Sequence, residues 1–272
     1  MPQCHYRVGG LFWLWLLQIK PGIESSLHVR KSINMAASFN TWSLSMQSLE
    51  NTLLSYATQH LPSLHHIYTW KFDTALAHQT FEWTIAGSNW YEKTRALKRH
   101  ASREWAASHE QRAVLADYAV RIWGGVKRNA PATMQGYVQI VSQGQVPVNH
   151  KGIASWSKVA AFSNPDEHAI FDARVSFSLN VLQMLHGDER RWWFPHLAGR
   201  NTQLNACWSR LKIQARQQGW LRVATTDVYL TYIGLLMDVS RKLDVEIGDV
   251  EMLLFSKAED FATAFNEAYP IS

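Results

Sequence analysis

Apolar residues recur along this chain at alternating three- and four-residue spacings, and Val/Ile/Thr alternation of the strand type is scarce. The pattern predicts an all-α protein. One helix is expected from about Trp42 to His60, with Met46, Leu49, Leu53, Tyr56 and Ala57 along one face. A second covers about Glu110 to Trp123, with Val114, Leu115, Tyr118 and Ile122 inward, and ends at Gly124-Gly125, where glycine accepts a left-handed cap. Asn129 to Pro131 opens a third, since proline is tolerated in a first turn, and its apolar face is Met134, Tyr137, Val138 and Val141. Thr225-Thr226-Asp227 caps a long helix bearing Leu230, Ile233, Leu236 and Met237. The last helix begins at Gly248-Asp249 and carries Met252, Leu253, Phe255 and Phe261. There is no internal repeat, low-complexity tract or heptad pattern, and the natural place for a division is near Gly144 to His150.

Composition adds that this is a folded chain. Of 272 residues, 47% are hydrophobic and 18% charged, with 13 Trp, far from the polar, aromatic-poor make-up of disordered segments. The net charge is +5, unevenly spread. Glu92 to Arg128 carries nine lysines and arginines against four acids, whereas from Asp244 onward seven acids face Lys257 alone. Such segregation would draw a polyanion to one side, or it marks ordinary solvated faces. Two cysteines, Cys4 and Cys207, are too few for a disulfide framework, a Cys-rich zinc site or an iron–sulfur cluster, and they fit a reducing cytoplasm. The twelve histidines include no H-E-x-x-H, so no metal is expected.

Val8 to Ile19 is an apolar run, too short for a membrane helix of about 20 residues. No small-x-small cleavage site follows it, and Lys20-Pro21-Gly22 comes instead. We read Met35 as the natural start, residues 1–34 as an upstream extension, and residues 35–272 as one domain.

Chemistry concentrates in residues 150–175. His150-Lys151-Gly152-Ile153-Ala154-Ser155-Trp156-Ser157-Lys158-Val159-Ala160-Ala161-Phe162 reads as a tight glycine turn opening a short helix. Ser163-Asn164-Pro165-Asp166 then reads as a loop, and Asp172 begins a second helix with Val175, Leu179 and Leu182 inward. A hairpin with outward backbone N–H groups can hold a phosphate without reading sequence. A carboxylate at a helix N-terminus stays ionised, and can stabilise a cationic sugar or deprotonate water. On spacing alone Asp172 is equally a plain helix cap.

These residues, with Trp123-Gly124-Gly125-Val126-Lys127-Arg128-Asn129, resemble the helix-hairpin-helix (HhH-GPD) DNA glycosylase superfamily, and within it a bacterial oxoguanine-glycosylase-like group. The resemblance spans roughly Tyr118 to Leu185, and more weakly Glu246 to Phe255. It implies a two-lobed helical fold with Asp172 as the catalytic carboxylate. Lys151, Gly152, Ile153, Ala154, Arg174, Lys127, Arg128 and Asn129 are then candidates for DNA contact, Arg174 otherwise pairing with a neighbouring acid. Trp123, Trp156, Trp192 and Trp193 are candidates to hold a flipped base, although aromatic burial alone would also account for each. The implied partner is double-stranded DNA with a flipped modified base, without a membrane, and oligomeric state is unreadable. A structural monovalent cation at the hairpin is the one ion the resemblance allows.

Two alignments imply different chemistry. With Gly152-Ile153-Ala154 as the hairpin, the nucleophilic lysine position of bifunctional glycosylases falls on Trp156, and the enzyme is monofunctional; this alignment keeps a hairpin glycine and is preferred. With Ser157-Lys158-Val159-Ala160 matched instead, Lys158 is a Schiff-base nucleophile and the enzyme also cleaves the strand. The chain departs from the family at Ala154, where a second hairpin glycine stands, and in a shorter helix before Asp172. Repair and defence against phage with modified DNA are both compatible. A DNA-binding module that lost the chemistry, and a helical interaction protein with no nucleic-acid role, are the competing classes.

Overall fold

The computed structural model describes residues 46–187 and 190–270. The expected helix start at Trp42, the reading of residues 1–34 and Cys4 lie outside them. Helix accounts for 67% of the structure. Among the described residues, strand is confined to β1 (Trp192–Trp193) and β2 (Leu221–Arg222), paired in parallel.

Helix α1 (46–60) buries Met46, Leu49, Leu53 and Ala57 as its periodicity requires. Pro62 ends it in a 3-10 turn, followed by the short α2 (Leu64–Ile67). Next come α3 (Thr74–Phe81), α4 (Trp90–Ala107), α5 (Arg112–Asp117), α6 (Pro131–Ser142) and α7 (Ile153–Ser163). These five share one hydrophobic cluster that includes Leu97, Ala101, Leu115, Tyr118, Val159 and Phe162. The remaining helices are α8 (Ala173–His186), α9 (Thr202–Gln217), α10 (Val228–Leu243), α11 (Ile247–Ser256) and α12 (Ala258–Ala268). Helix α8 is their hub, packing on α9, α11 and α12. Helix α1 joins this second group, with Tyr56 against Phe261 at 5.1 Å and Glu50 bound to Lys242 at 2.5 Å.

Three sequence expectations need correction. Val114 and Ile122 face solvent at 43% and 45% exposure. Beyond α5 the chain continues as a π-helical turn (Tyr118–Trp123), closed by the Gly124 amide on the Ala119 carbonyl. Within α5 the inward positions are Leu115 and Ala116, which leaves Val114 outside. The wider turn after it buries Tyr118, Ala119, Val120 and Trp123 and leaves Ile122 out. On α10, Leu230 is 53% exposed because Tyr229 and Tyr232 take the inward positions. Asp227 stands at the N-cap of α10 without a side-chain cap bond. The last expected helix is two helices, broken at Lys257, and the first is opened by a capping box between Glu246 and Asp249.

The charge segregation also turns inward. Basic α4 lies on acidic α11: Arg95 and Arg99 both meet Glu246, Arg95 reaches Asp249 at 3.8 Å, and Lys98 meets Glu251 at 2.8 Å. Three of the nine cations in that basic stretch therefore serve to join two helices.

Candidate active site

The hairpin between α6 and α7 closes at Gly152, whose φ of +70° is a left-handed conformation. A Cβ there would stand 2.1 Å from the Tyr137 hydroxyl oxygen, so glycine is required twice over. Gly152→Ala should cost about 1–2 kcal/mol from the backbone alone, with more from the clash. Urea denaturation should show Tyr137→Phe recovering only the steric part, since the ring carbon lies 3.3 Å from that position.

At the start of α7, the amides of Gly152 and Ala154 take no hydrogen-bond partner among the described residues. Lys127 and Arg128 are exposed and unpaired among them, and Asn129 ties their loop to α7 through a 2.9 Å bond to Ser155. The structure thus brings Lys127, Arg128, Lys151, Gly152 and Ala154 to one end of α7. The carbonyls of His150, Lys151 and Gly152 accept from Ile153, the Trp156 indole, and Ser155 with Trp156, respectively. They therefore make a poor donor set for a hairpin cation.

Asp172 is the N-cap of α8. Its Oδ1 accepts from the Arg174 and Val175 amides at 2.9 and 3.1 Å. Its Oδ2 takes no hydrogen bond among the described residues, leaving one oxygen fixed and one available. The three residues before it are anchored one by one. Tyr229 donates to the Ala169 carbonyl at 3.0 Å, Tyr232 to the Ile170 carbonyl at 2.8 Å, and the Phe171 amide to Ser157 at 3.1 Å. Two tyrosines three residues apart at the start of α10 were the sequence signal for this support.

Lys158 projects from α7 into the same place. It is 5% exposed, and its ammonium meets the Ala154 carbonyl. Gly124 permits this, because a Cβ there would come within 2.6 Å of the lysine stem. Burial pushes the Lys158 amine below the ordinary lysine range; the Asp172 and Glu251 charges partly offset this, and Lys98 adds to it. Glu251 is itself buried, its carboxyl pushed up by desolvation and held back by Lys98. Lys98 and Glu251 pair in the interior, and the charges of Lys158 and of the partly exposed Asp172 lie close enough to be felt there.

Aromatic rings cluster beside α7 and α11. Trp123 lies against Trp70 at 5.8 Å and Phe162 at 5.2 Å, and Phe255 meets Trp70 edge-on at 5.5 Å. Tyr68 stands 6.1 Å from Phe255, its hydroxyl pushed up by burial and by Glu251. The indole N–H groups of Trp70 and Trp123 are buried without a partner. Arg174 spreads over Phe255 at 4.9 Å and pairs with Glu259 at 2.8 Å, so its charge is already engaged by an acid.

Of the four tryptophans, Trp123 stands beside this cluster. Trp156 is 0% exposed, edge-on to Tyr229 and bonded through its indole to Lys151, which makes it core. Trp192 and Trp193 lie along the far half of α8, where Gln183 and Asn180 bind the backbone of Trp192 and Phe194. That is about 16 Å along the helix from Asp172. Lys98, Glu251, Tyr68, Trp70 and Phe255 were missed in the sequence. Glu251 alone carried a signal, as an acid inside the apolar run Val250 to Phe255.

No family model, curated protein or solved structure matches this chain. No three His, Cys, Asp or Glu side chains converge as a metal site among the described residues, and no helix there is long and apolar enough to cross a membrane.

Proposed function

We propose that this chain is a two-lobed helical DNA glycosylase that excises a damaged or modified base from duplex DNA. The observation that carries the reading is the Asp172 carboxylate, pinned through one oxygen at a helix N-terminus beside a buried lysine, one helix and a short loop after a hairpin. The hairpin amides of Gly152 and Ala154, with Lys127, Arg128 and Lys151, grip the phosphates, while the flipped base is held near Trp70, Trp123 and Phe255. The sugar–base bond breaks with its electron pair leaving on the base. Asp172 stabilises the cationic sugar and takes the proton of the water that adds to C1′. An abasic site and a free base are the products.

A second reading is favoured by one observation, the burial of Lys158 beside Asp172, where Trp156 instead fills the core. With its pKa lowered, the amine is neutral over a wider pH range. It can displace the base at C1′; the C1′–O4′ bond then opens, with O4′ taking a proton, to give the Schiff base, and loss of a C2′ proton expels the 3′ phosphate.

Incubation with duplexes carrying a panel of damaged and phage-type bases separates the readings. Strand breaks only after alkali mean hydrolysis through Asp172. Breaks without alkali, with borohydride-trapped protein lost in Lys158→Gln, mean the lyase, and trapping should then plateau at a pH below the ordinary lysine range. DNA binding with no product from any substrate would reduce the chain to a binding module, and no binding even at low salt would end both readings.

A further inference from the structure

Away from Asp172, the segment from residue 190 to 226 carries seven arginines and lysines and no acid. The fold gathers part of this charge along one open face. A cavity of about 400 Å³ is lined by Trp193, Trp208, His196, Lys212 and Arg222, and bordered by His150 of the hairpin. A shallower depression continues from it, sharing Trp193, Lys212 and Arg222 and adding Arg216 and Trp220. Lys212, Arg216 and Arg222 are exposed and make no ion pair among the described residues. Trp193 and Trp220 are half-buried, with ring centres 6.3 Å apart and planes inclined at 65°, and the Arg191 guanidinium lies over one face of Trp220, 5.8 Å from its ring centre. Trp208 is 4% exposed and its indole N–H has no acceptor. The nearest explanation for a cation-rich, acid-free track with ring faces between the charges is a chain of alternating phosphates and planar rings.

We infer that this face binds an unpaired nucleic-acid strand, with bases stacked on Trp193 and Trp220 and phosphates held by Lys212, Arg216 and Arg222. Bases in a duplex keep their faces to themselves, so the rings require an unpaired strand, whereas the cations alone would accept any polyanion. The inference stands apart from the chemistry at Asp172.

The test is fluorescence anisotropy with labelled oligothymidylate and oligouridylate of about 12 nucleotides. Trp193→Ala and Trp220→Ala should each weaken binding of at least one probe by roughly 5- to 150-fold, the equivalent of one lost stacking contact. Trp193→Tyr, which keeps a ring and guards against misfolding, should restore most of it. Lys212→Gln with Arg222→Gln should make the salt dependence shallower by about 0.7 per lost phosphate contact. Asp172→Asn should bind like the wild type, which separates failure here from failure of the glycosylase reading. Equal affinity for an abasic strand of the same length, equal competition by duplex, or unchanged affinity in both alanine variants would overturn the inference.

Discussion

Asp172→Asn is expected to lower base excision by roughly 10²- to 10⁴-fold while leaving the fold intact. The two halves of that result have separate causes. Asparagine caps a helix about as well as aspartate, so the bonds to the Arg174 and Val175 amides survive and stability moves by about a few tenths of a kcal/mol. In the proposed glycosylase the lost negative charge would remove both the partner of a cationic sugar and the acceptor of a water proton. A matched pair of measurements, single-turnover excision and urea unfolding, reads the two halves independently. Loss of both together would make Asp172 a structural cap.

The largest effect on stability is expected at the Lys98–Glu251 pair. Both side chains are nearly inaccessible, at 4% and 3% exposure, and they join α4 to α11 at 2.8 Å. Removing one partner strands a charge without water, so Glu251→Leu should cost about 3–5 kcal/mol in urea unfolding. The double change Lys98→Met with Glu251→Leu should recover most of this, because neither charge then needs a partner. A single variant as unstable as the double would show that packing, not charge, is lost. Glu251 also supports the protonated form of Lys158. If borohydride trapping through Lys158 occurs, Glu251→Gln should shift its pH profile lower still.

The helical class was legible because apolar spacing reports burial wherever a helix keeps 3.6 residues per turn. It failed where that condition failed, at the π-helical turn that leaves Ile122 at the surface, and within α5, where Leu115 and Ala116 face inward in place of Val114. It failed again on α10, where Tyr229 and Tyr232 turn inward to bond carbonyls and push Leu230 out. At the site, Asp172 and the hairpin were readable because one short segment holds them. The rings of Tyr68, Trp70, Trp123 and Phe255 come from three distant stretches, and only tertiary packing brings them together. The opposed charges of α4 and α11 looked like separate polarity because nothing in a linear sequence reports that Arg95 and Glu246 touch, 151 positions apart.

The helices α3 to α7 close their cluster through neighbours in sequence, whereas α1 waits for partners on α10 and α12. Its Glu50 meets Lys242, 192 positions further along the chain. During synthesis the middle helices can collapse as soon as α7 emerges, while α1 meets His186 only when α8 is made, and Lys242 and Phe261 only near the end of the chain. The apolar stripe of Leu49, Leu53 and Ala57 is thus uncovered for most of translation. The interval between those two events is when this protein is most exposed to aggregation.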